Sequence, residues 1–226
     1  MQAINAVLPF VTSLITFIFA GLVFYRYSVR KGAPLLLWGI GLTVYAIAES
    51  MAAIHGSVGW NPLVFRLWYL CGAILAAAWL GQGTVHLLVR RLWANILLVI
   101  LVVGSLYAAF KVFTAQLDPT LLLGPELSGH AITSGGVRIL TPFFNIYGMV
   151  ALAGGAIYST IVSLRRRAFG SRPVGLILIA VGALAPGLGG TLSRVGLTEY
   201  LYLSEFVGAV LMFSGFILST SRSRFD

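Results

Sequence analysis

Seven long apolar stretches run along the chain, at about 3–25, 34–55, 63–88, 93–115, 141–164, 173–193 and 199–219, with short polar or glycine-rich connections between them. Each is about as long as the roughly 20 residues an α-helix needs to cross the hydrocarbon core of a bilayer. The stretches are continuous, not alternating, and too long for the strands of about ten residues that build a transmembrane barrel. The pattern predicts an all-α integral membrane protein with seven transmembrane helices, a single domain over residues 1–226.

Composition agrees. Hydrophobic residues make up 59% of the chain and charged residues only 9%, where a soluble domain carries about a quarter charged. Residues 3–25 could pass for a signal peptide, but no Lys or Arg precedes them and no small-x-small cleavage site follows. They read as the first span.

The net charge of +9 is held in short clusters between apolar stretches. A basic stripe for nucleic acid would lie along one face, so nucleic acid is excluded as a partner and the lipid bilayer takes its place. Alternate connections carry Arg26, Arg30 and Lys31, then Arg90 and Arg91, then Arg165, Arg166, Arg167 and Arg172, then Arg222 and Arg224. The other side holds only isolated Arg66, Arg138 and Arg194 with Asp118, Glu126 and Glu199. The positive-inside rule makes the clustered side cytoplasmic, which places the N-terminus outside, the C-terminus in the cytoplasm and the protein in the plasma (cytoplasmic) membrane.

The one long connection, an extracellular loop at about 116–140, contains LDPTLLLGPELSGHAITSGG, whose Pro and Gly oppose a continuous helix. It reads either as a cap over the helix ends or as a disordered loop. Faint self-similarity links the ends of the chain: Pro9–Phe10 with Pro142–Phe143, Pro34 with Pro173, and Gly72–Leu75 with Gly208–Leu211, offset by 133 to 139 residues. A 3+1+3 parallel duplication would produce it.

Charges inside spans are costly and face a bundle interior or water, so they are the natural candidates for function. Glu49 and Glu205 each lie about six residues, roughly 9 Å, inside the outer ends of the second and seventh helices. Tyr45 and Tyr202 share helix faces with them. A polar pocket in the outer half follows as an expectation, with Arg66 and Arg194 as charge partners and Asn145 adding donor and acceptor groups. The competing reading makes both carboxylates structural pairs that lock helices together.

His55, Glu126 and His130 are weak metal candidates; the Glu126–His130 spacing suits one helical face, but a loop rich in Gly and Pro favours solvated side chains. His55 and His86 fall at opposite ends of their helices, so the pair cannot share a haem. Gly72, Trp79, Gln82, Gly83 and His86 form a stripe on the third helix, and Ala151, Gly155 and Ser159 another on the fifth; helix packing explains both. Pro186 with Gly187, Gly189 and Gly190 predicts a kink in the sixth helix. Cys71, the single cysteine, reads as a packing residue.

Hydrolase, zinc-protease, phosphate-loop and paired-cysteine motifs are absent, and the only lysines, Lys31 and Lys111, exclude a retinal link in the seventh helix. The expectation is a protein that is not an enzyme and uses no cofactor. The LPF opening, the basic turn RYSVRKGAP leading into LLLWGIGLTVYAIAE, and the run FRLWYLCGAILAAAWLGQG resemble the N-terminal seven-transmembrane sensory region of some bacterial histidine kinases. That resemblance covers about 90 residues. It implies a membrane-embedded sensor with an outward-facing pocket for a small ligand and a last helix that signals inward; as residues 220–226 end where a kinase would follow, the receiver would be a separate cytoplasmic effector protein. The triplet pattern resembles instead the sugar-transporting and PQ-loop transporter families, although the PQ dipeptide is absent. An accessory subunit of a membrane complex is the third reading.

Overall fold

A computed structural model of the protein describes residues 2–118, 120, 127–134, 136–165, 171–194 and 199–220. Its helices are α1 (Gln2–Arg30), α2 (Ala33–Val58), α3 (Pro62–Leu88), α4 (Arg91–Thr114), α5 (Val137–Arg165), α6 (Ser171–Arg194) and α7 (Glu199–Thr220). Among the described residues seven helices are long and apolar enough to cross a membrane, and no strand forms beyond one antiparallel bridge, Leu117 with Ile132. The chain is a multi-pass helical membrane protein.

Several helices outrun their apolar stretches. The first continues to Arg30, and α5 begins at Val137, so Pro9 and Pro142 lie inside helices and do not open them. Hydropathy marks where lipid ends, whereas a helix ends where its backbone hydrogen bonds do. At the α1–α2 turn the left-handed residue is Lys31 (φ 44°), while Gly32 is extended (φ −157°). The Asn61 Oδ1 accepts from the N–H groups of Leu63 at 2.8 Å and Val64 at 3.3 Å, and with Pro62 in the first turn it starts α3.

The third helix changes its winding. It is α-helical over Pro62–Trp68, π-helical over Tyr69–Leu75 and α-helical again over Ala76–Leu88. A π stretch of seven residues is unusual, because π-winding normally appears as single bulges and concentrates at functional sites.

The chain divides into two compact units, Met1–Gly148 and Met149–Asp226. In the first, Gly41, Ala48 and His55 recur every seven residues along α2. A Cβ at Gly41 would lie 2.7 Å from the Leu80 N, and one at Gly72 would lie 3.0 Å from the Ala48 Cβ. Seven-residue spacing on a straight pairing is the geometry of a shallow helix crossing. The start of α5 runs parallel to α3: the Tyr69 and Thr141 hydroxyls are 2.9 Å apart, and a Cβ at Gly148 would fall 2.2 Å from the Ala77 carbonyl carbon. Only glycine admits so close an approach, which is how helices gain packing in lipid, where burial of apolar surface supplies no drive.

In the second unit α6 and α7 pair as an antiparallel hairpin through glycine on both sides. A Cβ at Gly175 would meet the Gly215 carbonyl at 2.5 Å, and one at Gly182 the Gly208 carbonyl at 2.8 Å. Gly189 continues the seven-residue series and faces Ser204. Part of the glycine cluster after Pro186 therefore serves the helix contact.

Candidate functional site

The α1–α2 and α3–α4 turns carry basic residues at one end of the first unit; the α2–α3 turn and the long loop lie at the other. At this loop end an open cleft of about 640 Å³ is lined by Trp60, Pro62, Arg66, Ala115, Gln116, Leu117, Asp118 and Thr133.

Local chemistry builds each wall. Arg66, on the second turn of α3, reaches the C-terminus of α4: Nη1 donates to the Val112 carbonyl at 2.9 Å and to the Phe113 carbonyl, and Nη2 donates to the Ala115 carbonyl at 3.0 Å. A cation placed on the last, unsatisfied carbonyls of a helix also complements its dipole. Two loop segments form the rim. Asp118 N–H donates to the Ala131 carbonyl at 2.9 Å, and Thr133 N–H to the Gln116 carbonyl at 3.3 Å, around the Leu117–Ile132 bridge. Ala131 and Ile132 are buried, so this part of the loop packs down on the helices.

Asp118 Oδ1 accepts from the Thr120 hydroxyl at 2.6 Å and from the Thr120 N–H at 2.9 Å. These bonds hold the Asp118 carboxyl below its usual range. Arg66 and Asp118 line one cleft and, among the described residues, form no ion pair with each other. Trp60 lies edge-on to His55 (centroids 6.5 Å apart) and 5.3 Å from Phe65, which stacks on Tyr69 at 6.1 Å. This aromatic file leads from the cleft to the first π-helical residue.

The π segment is gripped from α5. Besides the Tyr69–Thr141 contact, Asn145 Nδ2 donates to the Ala73 carbonyl at 2.9 Å. A Cβ at Gly129 would lie 2.9 Å from the Tyr69 ring, so the loop also closes over it. Two turns beyond the segment, Gln82 is 0% exposed. Its Oε1 accepts from the Tyr147 hydroxyl, and its Nε2 donates to the Ala94 carbonyl at 2.9 Å and sits 3.0 Å from His86 Nδ1. His86 Nε2 is 3.3 Å from Asn95 Oδ1. His86 Nδ1 also lies 3.1 Å from the Gln82 main-chain carbonyl, so it accepts from the Gln82 side chain in one tautomer and donates to that carbonyl in the other.

The other sequence candidates are placed as follows. Glu49 is 2% exposed in α2, with Tyr45 buried one turn before it, both in the first unit. Tyr202 is buried and Glu205 half-buried in α7, in the second. Asn145 binds the α3 backbone and Arg66 the α4 terminus. Arg194 ends α6, but its side chain lies outside the described residues, as does Glu126. His55 is buried, with no partner for Nδ1 among the described residues, while His130 is exposed. Among the described residues no three His, Cys, Asp or Glu side chains group as a metal site would need.

The expectations named Arg66 but missed Trp60, Gln116, Asp118 and Thr133, which join it only through the loop's folding. The Asp-Pro-Thr turn signature was the one available signal. No protein-family model, no curated protein and no solved structure matches this chain.

Proposed function

We propose that the chain is a membrane-embedded ligand-binding sensory module, with its N-terminus and cleft outside, its C-terminus in the cytoplasm, and a separate effector protein receiving its signal. The orientation rests on the basic clusters at the α1–α2 and α3–α4 turns and at 165–172. The observation that carries the sensory reading is that one helix joins three parts: α3 begins in the cleft with Arg66, continues as the π segment and ends in the Gln82–His86 network. A π stretch holds more residues per turn than an α-helix. Rewinding it therefore rotates everything beyond, which couples cleft occupancy to the cytoplasmic end without moving the whole bundle.

Transport is the second reading, supported by Glu49, a buried carboxylate that could carry a coupled proton, and by the 3+1+3 pattern.

The deciding experiment is native mass spectrometry of the protein in nanodiscs after exposure to a small-molecule extract, followed by flux of any bound solute in proteoliposomes. The sensory reading expects a retained solute, altered hydrogen exchange at 69–75 and 82–86, and no flux. Solute flux abolished by Glu49→Gln would replace it with transport.

A further inference from the structure

The cleft at the loop end presents two opposite charges that do not neutralise each other. Arg66 has five N–H donors. Three go to the Val112, Phe113 and Ala115 carbonyls, all through Nη1 and Nη2. Among the described residues the Nε–H and one Nη2–H take no partner. Uncommitted guanidinium N–H groups form charge-assisted bonds to a carboxylate. The carbonyl contacts hold the side chain in place, so little of its rotamer freedom is left to lose on binding.

Asp118 supplies the other pole. Both bonds from Thr120 arrive on Oδ1, which leaves Oδ2 as an acceptor, and the same bonds favour the ionised form. Trp60, Pro62 and Leu117 give the cleft apolar surface, with the Trp60 ring fixed by His55 and Phe65. A lone anion would meet Asp118 and a lone cation would meet Arg66, so each is repelled by one wall. A molecule carrying both charges can satisfy both walls.

We propose that the cleft binds a small zwitterion of the α-amino-acid class, with its carboxylate on the free N–H groups of Arg66, its ammonium on Asp118, and an apolar or aromatic side chain against Trp60 and Pro62. This rests on the reading of the cleft as a ligand site and adds the chemical class.

The test uses the full chain in nanodiscs and isothermal titration calorimetry with L-phenylalanine, N-acetyl-L-phenylalanine and L-phenylalanine amide. Saturable binding of the free amino acid is expected, with each blocked form weaker by roughly tenfold or more, the equivalent of one charge-assisted bond. Asp118→Asn, a change at a half-buried loop side chain outside the helices, is expected to remove the preference over the N-acetyl form while keeping that over the amide. Equal binding of all three compounds, no saturable binding of the free amino acid, or an unchanged preference in Asp118→Asn would each overturn the proposal. Hydrogen exchange separates the two levels. If a solute from the extract protects 115–118 and 131–134 while phenylalanine does not, the class is wrong and the site stands; if no solute protects the rim, both fall.

Discussion

The Arg66 guanidinium on α3 donates to the Val112 carbonyl on α4 at 2.9 Å, a bond across 46 positions of sequence. It ties the start of one span to the end of the next. Arg66→Met keeps most of the side-chain packing but removes the charged donors, and three carbonyls at the α4 terminus lose their partner. Because water reaches part of this end, the loss is expected near the lower range for charge-assisted bonds, roughly 2 kcal/mol. Arg66→Lys should recover less than half, since a single ammonium cannot span three carbonyls. Unfolding in detergent with increasing denaturant measures both.

Gly148 and Gly154 lie six residues apart on α5 and should behave oppositely. A Cβ at Gly148 meets Ala77 backbone, which cannot move aside, whereas one at Gly154 meets nothing within 4 Å. Gly148→Ala is expected to destabilise by about 1–3 kcal/mol through overpacking. Gly154→Ala should be neutral or slightly stabilising, by up to about 1 kcal/mol, because alanine favours helix. Thermal unfolding of the two variants side by side checks the contrast.

Gln82 bridges α3, α4 and α5, so its removal costs more than the loss of either neighbour. Gln82→Leu leaves the Tyr147 hydroxyl and the Ala94 carbonyl in an apolar interior, at roughly 2 kcal/mol. Tyr147→Phe removes one bond and should cost about 0.6–1 kcal/mol, the usual worth of an interhelical bond in a membrane. The double variant is expected to cost less than the two single values together, since both delete the same bond. A double-mutant cycle by reversible unfolding tests this.

Asp118 offers a pH readout outside the membrane. Its carboxyl is held below the ordinary value by Thr120. The folded chain thus binds fewer protons there than the unfolded chain, and the associated stabilisation, present above the ordinary carboxylate value, is lost as pH falls through the folded one. Thr120→Val removes the hydroxyl bond and should raise the Asp118 midpoint toward the ordinary value. Carbon-13 NMR titration of labelled aspartate follows the shift directly.

How much of this was legible in the sequence differs by element. The seven spans were, because length and apolarity answer directly to bilayer thickness. So was the presence of Arg66 and Asn145 as polar groups near span ends, where such groups must find partners. Their actual partners were not: both bind main-chain carbonyls on neighbouring helices, and a carbonyl has no sequence signature. The stripe through Gln82 and His86 was visible as a small and polar face, yet its link to Tyr147 depends on α5 running parallel to α3, which no local pattern encodes.

By itself, then, the chain's sequence determined its solvent, its number of spans and the distribution of its charge, all properties that sum over residues irrespective of contacts. Only the tertiary structure decided the π-winding of Tyr69–Leu75, the glycine register of α6 on α7, and the meeting of Arg66 with Asp118 in one cleft. Each depends on residues far apart in the chain reaching the same few ångströms, and that distance is set by packing.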